Sequence, residues 1–522
     1  MISGEENIRR IKDNSYLKVE GLTTQFFTSG GIVKALDRVT FSIDKGEVMG
    51  LVGESGCGKS VTATSVMDLI PDPPGRIVKG KVFIDGFNIM GDLDKLAKIK
   101  IISEKNVIVK RNRKMIKRHN FILSKIRGRT VSMIFQEPAL SLNPVLTVGR
   151  QIMEPILLHN RIEISNSIIR RETITEEQIK TFYTEASKIN DDTEKRKYVT
   201  QWISMFGVAE SQDSILELLN SSAPSNQIEK DLEDFLFEQV EGIDLKGIEK
   251  VRDYYKTEEE AFKLHTNLLT AEEEKDLALI QKTSERIRSL YKESNKRLFW
   301  FRVKYKLLKK RIDIPYVKEA RRRTLELLKL VNIAGAERVI DSYPHELSGG
   351  MQQRVMIAMA LSSNPKILIA DEPTTALDVT TQAQILELIK DLKVVTGTSI
   401  LFITHDLGVV AEMCDKIGIM YAGNLVEEAP VNDIFYNPKH PYTIGLLKSI
   451  PRADVKRADI LESIPGSVPN LIAPPSGCRF HPRCTFRMNI CETDKPKLLA
   501  LNDNKNQKVA CFLFSNEVES DE

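Results

Sequence analysis

The sequence predicts an α/β protein with a largely parallel sheet, interrupted by a helical insertion and closed by a cysteine-bearing extension. Three observations predict this. Short apolar runs recur between helical segments: Glu47 to Val52 (EVMGLV), Val131 to Phe135 (VSMIF), Lys366 to Ala370 (KILIA) and Ser399 to Thr404 (SILFIT). Such runs suit strands buried on both faces, and their alternation with helices suits parallel order. Arg161 to Ala320 is long, highly charged and almost free of proline and glycine. Cys478, Cys484, Cys491 and Cys511 crowd the C-terminal end.

The bulk numbers agree. A chain of 522 residues, 42% hydrophobic and 28% charged, is expected to form two to four globular domains. Lys and Arg number 75 against 72 Asp and Glu, so the charge balance does not call for nucleic acid. No apolar run approaches the roughly 18–20 residues that span a bilayer. The N-terminal MISGEENIRRIKDNSYLKVE lacks the apolar stretch of a signal peptide. A cytosolic protein is expected, reaching a membrane only through a partner.

Taken in order, Leu17 to Ile43 alternates and breaks at Gly30-Gly31, which predicts two strands joined by a hairpin. EVMGLV then leads into Gly53-Glu54-Ser55-Gly56-Cys57-Gly58-Lys59-Ser60, with Val61 to Leu69 continuing as a helix. This is G-x-x-x-x-G-K-[ST]. Its glycines let successive backbone N–H groups turn inward around a phosphate. The positive end of the following helix points at the same anion. Lys59 is placed for the β- and γ-phosphates and Ser60 for Mg²⁺. A chance Gly-rich turn would not have a strand before it and a helix after it. Cys57 fills a variable position and needs no special role.

Lys95 to Lys125, rich in Lys, Arg and Ile, breaks the strand–helix rhythm. Gln136 follows VSMIF at the strand end where ligands sit in open α/β sheets; it is a candidate for Mg²⁺ or the attacking water. Segments of 161–320 such as IEKDLEDFLFEQV carry helical apolar spacing. Phe235, Phe237, Tyr291, Phe299 and Trp300 predict some packed surface there. A solvated appendage is the plainer reading, so its removal should spare ATP binding. KILIA ends at Asp371-Glu372: one carboxylate for Mg²⁺ through water, the next to polarise the attacking water. His405 follows SILFIT and is a candidate donor to the γ-phosphate. Alone, Gln136 or His405 would mean little; their case rests on their company. Ile417 to Tyr421 and Asn424 to Glu427 predict a terminal hairpin around Gly423.

At Tyr343-Pro-His-Glu-Leu347-Ser348-Gly349-Gly350-Met351-Gln-Gln-Arg354 the chain resembles the ABC ATPases, with Met351 where many members carry Gln. The order of phosphate loop, Gln136, signature, Asp371-Glu372, Thr375-Ala-Leu-Asp378 and His405 matches theirs. The resemblance implies a P-loop NTPase fold of the ABC type, with an antiparallel β subdomain and a helical subdomain carrying the insertion. It implies an ATP site from Gly53 to Val61, with Phe26 stacking on adenine and Phe27 beside it. It implies catalytic roles for Glu372, His405 and Gln136, and Mg²⁺ at Ser60, Gln136 and Asp371. It implies a head-to-tail dimer in which Ser348, Gly349 and Gly350 face the partner's ATP and Asp378 couples the two sites.

A narrower resemblance, to the D-type ATPase subunit of oligopeptide and dipeptide permeases, rests on QEPALSLNPVLTVG from Gln136, IADEPTTALDVT from Ile369, His440-Pro-Tyr-Thr, and the segment Ile464 to Cys484. It covers about Leu17 to Leu158 and Arg321 to Phe512, apart from Lys95–Lys125. It implies peptide uptake, with nickel or another small solute as the alternative cargo. It also implies a peripheral place on the cytoplasmic face of the membrane. The implied partners are a second ATPase subunit, a paralogue more than a copy, two permease subunits and a substrate-binding protein. A DNA-repair clamp of the ABC type is the competing class; the insertion is short for a coiled-coil arm and lacks sustained heptads. A translation-associated ABC protein would carry two cassettes. The implied division is 1–160, 161–320, 321–435 and 436–522. Four thiolates at Cys478, Cys484, Cys491 and Cys511 can hold zinc or iron–sulfur; the resemblance favours [4Fe–4S], with Zn²⁺ or an empty site as alternatives.

Overall fold

The computed structural model describes residues 15–91, 93–103, 106–172, 176–206, 212–221, 224, 227–228, 231–232, 244–274, 276–375, 377–449 and 464–515. The predicted N-terminal hairpin is β1 (Ser15–Thr28) and β2 (Gly31–Asp44), closing at Thr28 opposite Gly31. With β4 (Gly75–Ile84) and β5 (Phe87–Asn88) it forms an antiparallel sheet in the order β2-β1-β4-β5. Leu17, Val19, Val39, Phe41 and Ile43 are its inward residues, as a period of two requires.

The main sheet has the order β13-β14-β12-β11-β3-β10-β9-β8. The four predicted apolar runs are β3 (Val48–Val52), β8 (Val131–Ile134), β9 (Ile367–Asp371) and β10 (Ser399–Ile403), and every residue in them is buried. They pair in parallel, and β11 (Lys416–Tyr421) continues the parallel run beside β3. β12 (Asn424–Pro430) turns back antiparallel on β11. That hairpin does not end the sheet: β14 (Lys508–Val509) pairs with β12, and β13 (Leu499–Ala500) with β14. The C-terminal extension is thus bonded into the edge of the nucleotide domain.

The predicted helix after the phosphate loop is α1 (Lys59–Val66). Lys95 to Lys125 forms β6 (Ala97–Ser103), β7 (Asn106–Arg111) and most of α2 (Arg113–Ile126). Asn112 caps α2 by accepting from the backbone of Lys114 and Met115. α2 buries His119, Ile122, Leu123 and Ile126.

The insertion is helical where described: α4 (Arg161–Glu172) follows α3 (Val148–His159), then come α5 (Glu176–Lys188), α6 (Asp192–Phe206), α7 (Gln212–Leu219), α8 (Leu245–Glu274) and α9 (Leu277–Leu330). Asp276 caps α9 by accepting from Leu279 N–H at 3.0 Å. α9 has 54 residues and runs unbroken through Ala320 into the family-like region. Of the aromatics singled out, Phe235 and Phe237 lie outside the described residues, as do the side chains of Phe299 and Trp300. Tyr291, 41% exposed, lies beside the His265 ring at 6.2 Å.

Other side chains supply the described core packing. Ile164, Ile168, Ile248, Val251, Tyr316 and Ala320 join one core with Ile152, Ile156, Leu328 and Val355. Tyr316 is fully buried, its hydroxyl 2.5 Å from Ser165 Oγ and its ring beneath Arg161. At the other end of the hairpin, Leu269 and Phe262 of α8 pack with Ile122, Leu123 and Ile126 of α2. Arg118 meets Glu272 at 2.9 Å, Lys125 meets Glu258 and Arg129 meets Glu259 at 2.5 Å, and Lys95 also pairs with Glu272. The two segments that depart from the family pattern therefore pack on each other. A satellite core of Ile179, Phe182, Val199, Trp202, Ile215 and Leu216 lies within α5 to α7.

Excision of 161–320 would strip six buried side chains from the shared core, so loss of soluble, folded protein is expected rather than spared ATP binding. Tyr316→Ala should destabilise by about 3–5 kcal/mol in chemical denaturation; a change below about 1 kcal/mol would detach the insertion from the core.

Candidate functional site

Four parallel strands deliver their C-terminal ends to one edge of the sheet. β3 runs into the phosphate loop, β8 into Gln136, β9 into Asp371 and Glu372, and β10 into His405. This is the edge at which open α/β sheets bind ligands. Gly53 is there because nothing larger fits: a Cβ would come within 2.2 Å of the Met420 carbonyl. Gly58 caps α1 at φ 106°, a backbone that side chains resist. Cys57 is fully buried, and burial pushes its thiol up, which suits inert packing rather than reactivity. Lys59 Nζ donates to Gly53 O at 2.8 Å and Glu54 O at 3.2 Å.

Ser60 Oγ donates to Asp371 Oδ1 at 3.0 Å, joining positions 311 residues apart. Burial raises the Asp371 carboxyl above its usual range and Glu372 adds to this; Ser60 and Lys59 oppose it. The pair presents two hard oxygen donors beside the start of α1, the chemistry Mg²⁺ selects. Gln136 bonds the neighbouring carboxylate. Its Nε2 donates to Glu372 Oε2 at 3.0 Å.

Glu372 is held from several sides. Oε2 also accepts from Thr375 Oγ1 at 3.0 Å, and Oε1 lies 3.3 Å from His405 Nδ1. Its backbone N–H donates to Ile403 O of β10 at 2.9 Å, at a φ of 45°. A non-glycine residue in the left-handed region is uncommon, and this main-chain bond helps hold Glu372 there. The arrangement leaves one aimed carboxylate able to take a proton.

Ser348 caps α10 (Gly349–Leu361) by accepting from Met351 N–H, and Ser348 and Gly349 are exposed. Asp378 caps α11 (Val379–Thr396), accepting from Thr381 N–H at 2.9 Å and Thr381 Oγ1 at 2.7 Å. A Cβ on Gly350 would come within 2.9 Å of Thr381 Cγ2, so the signature helix and the Asp378 turn share one surface. Ala376 lies outside the described residues. Phe26, half-buried in β1, packs on Gly75 of β4.

The C-terminal cysteines converge. All four line one narrow pocket with His440, Phe480 and Phe486. Burial and the neighbouring thiols push Cys511 up to about 12 and also raise Cys478 and Cys484. Among the described residues, no three His, Cys, Asp or Glu side chains are arranged to hold a metal ion. The four thiols share a pocket without forming such a group.

Sequence reasoning matched His440-Pro-Tyr-Thr without assigning it work. The structure shows buried His440 capping α12 (Pro441–Lys448), its Nδ1 accepting from Tyr442 N–H at 3.1 Å. Tyr442 OH accepts from the Glu54 N–H of the phosphate loop at 3.0 Å. Arg483 forks onto the Glu54 carboxylate at 2.8 and 3.2 Å. A cap residue followed by Pro is a legible helix start; its reach to Glu54 is not.

A family model for the ABC transporter matches residues 36–228 and 239–375. This chain belongs to the ABC transporter family. Residues 426–491 match the C-terminal region of the oligopeptide/dipeptide transporters. The oligopeptide transport ATP-binding protein AppD of Bacillus subtilis is 34% identical over 504 residues, covering 97% of this chain and 98% of that protein. OppD of the same organism is 32% identical over 94% of this chain and 88% of its own length. DppD, a dipeptide transport ATP-binding protein, is 30% identical over 96% of each. As an ABC family member the chain is an ATPase that uses ATP with Mg²⁺. Among the described residues, no helix is long and apolar enough to cross a membrane.

Burial pushes His440 down to about 3, so it is neutral when folded and basic near pH 6.5 when unfolded. The unfolded chain binds the extra proton, so this stability is complete above about pH 6.5 and is lost toward pH 3, about 2 kcal/mol by pH 5. His440→Asn keeps a capping acceptor and should flatten the fall in unfolding free energy between pH 7 and 5 by that amount. An unchanged slope would clear His440 of the effect.

Proposed function

We propose that this ABC ATPase is the motor subunit of an importer for oligopeptides or dipeptides. The observation that carries the ATPase chemistry is the Glu372 carboxylate, held by Gln136, Thr375 and His405 one residue beyond Asp371. Peptide cargo is supported by the match of residues 426–491 and by relatives named for oligopeptide and dipeptide transport. The subunit works at the cytoplasmic face of the membrane with a second ATPase subunit, two permease subunits and a substrate-binding protein.

Gly53 to Val61 binds the triphosphate, with Lys59 on the β- and γ-phosphates, and Phe26 stacks on adenine. Ser60 and Asp371 would hold Mg²⁺, which when bound would supply charge neutralisation at the phosphates. Glu372 takes a proton from water as its oxygen bonds to the γ-phosphorus; the bond to the ADP oxygen breaks, leaving ADP and phosphate. Gln136 and Thr375 fix the carboxylate, and His405 donates to the γ-phosphate. With its Nε2 donating to Glu372, Gln136 keeps its amide oxygen as a further candidate ligand for the metal. Ser348, Gly349 and Gly350 close on the partner's ATP, and Asp378 links the two sites. ATP favours the closed pair and ADP does not, which couples hydrolysis to the permease. The working division is 1–160, 161–320, 321–435 and 436–522, with the insertion bridging the first and third parts.

The four C-terminal cysteines form the ligand set for a structural [4Fe–4S] cluster, with Zn²⁺ the alternative. Their convergence on one pocket supports this.

Glu372→Gln should abolish ATP turnover while ATP stays bound; unchanged phosphate release would remove Glu372 from its role. Anaerobically purified protein should contain about four irons and four sulfides per chain, lost in the Cys484→Ser/Cys491→Ser variant. Zinc without iron would overturn the cluster.

A further inference from the structure

We infer that the C-terminal extension positions the phosphate loop, through Arg483 and Tyr442 acting on Glu54, and so sets the affinity for ATP. This rests on the phosphate loop holding the nucleotide.

Glu54 is engaged at three groups. Its carbonyl accepts from Lys59 Nζ, its N–H donates to Tyr442 OH, and its carboxylate accepts two bonds from Arg483. Both outside partners belong to the extension. The Arg483 side chain is 7% exposed against 27% for Glu54. Its remaining donors are spent on Pro465 O at 2.8 Å, Ile464 O at 3.3 Å and Tyr421 OH at 3.4 Å. Arg483 therefore cannot swing to Glu54 on demand; it is a fixed fork built by the extension, and a lysine could not reproduce it. Tyr442 is equally fixed, fully buried on a helix started by His440 and Pro441.

Two effects follow. Ser55 and Gly56, just beyond Glu54, are exposed. With Glu54 pinned, less of the loop must be ordered when nucleotide binds, which raises affinity. Arg483 also neutralises a carboxylate inside the very loop that receives a triphosphate. Without it, Glu54 would face the incoming phosphates as an unpaired like charge. Neither effect touches Glu372, so the extension acts on binding rather than on the chemical step. Arg483 and Tyr442 are positioning residues.

The charge effect makes a sharp test. In full-length protein, Arg483→Ala should raise the Kd for a fluorescent ATP analogue, and the KM of the ATPase, by about tenfold, with kcat within about twofold. Glu54→Gln should raise them only about threefold. The double variant Glu54→Gln/Arg483→Ala should bind like Glu54→Gln alone, tighter than Arg483→Ala, because the stranded carboxylate is gone. Tyr442→Phe, which removes one hydroxyl, should speed hydrogen exchange at residues 53–60 without lowering the melting temperature of the main sheet. Unchanged affinity in folded variants would overturn the proposal, as would a double variant whose losses simply add. If Arg483→Ala does not fold, Glu54→Gln and Tyr442→Phe decide, with wild-type Kd and loop exchange counting against it. Lys59→Ala separates the two readings: if it keeps ATP, the loop assignment itself has failed.

Discussion

Parallel register across β3, β10, β9 and β8 is the constraint on which the nucleotide edge depends. Ile400 opposite Val48 and Leu368, and Ala370 opposite Ile134, bring four strand ends level. Only then can Ser60 meet Asp371, and Gln136 and His405 meet Glu372. Each contact spans a large sequence separation, so none is secured by local structure. The strands hold register because every residue in them is buried; a one-residue slip would move every side chain to the other face of the sheet.

The insertion is tied to this framework at two places. Its α8–α9 hairpin shares a core with the helical region around Val355 and grips α2 beside the antiparallel sheet through Leu269 and the Glu258, Glu259 and Glu272 ion pairs. Half-exposed pairs of that kind add modestly to stability. The buried contacts of Tyr316, Ile164 and Leu269 carry more, since apolar area removed from water dominates. The insertion thus bridges the regions on either side of the nucleotide edge.

The extension is bound to the same edge by a different logic. One short strand pair, β14 on β12, attaches it to the sheet, but polar contacts connect it to the site. His440 is buried and neutral, Tyr442 reaches a loop N–H, and Arg483 neutralises a loop carboxylate. Adjacent in sequence to Arg483 is Cys484, one wall of the four-thiol pocket. His440 also lines that pocket, two residues before the Tyr442 that bonds the phosphate loop.

The signature was legible only through its resemblance to the ABC ATPases; by itself the sequence determined the strand–turn–helix at Gly53 to Ser60, the apolar strands and the carboxylate pair. These are local patterns, set by glycine conformational freedom and by strand and helix periodicity. It also made the insertion and the cysteine cluster visible. Only the tertiary structure decided where Gln136 points, that Lys95–Lys125 packs on the insertion, and that Tyr316 lies in the core the insertion shares with the helical region. Only the tertiary structure brought Arg483 to Glu54. Those facts depend on contacts between segments up to 429 residues apart, and no periodicity in a chain records which distant charge its fold will bring within 3 Å.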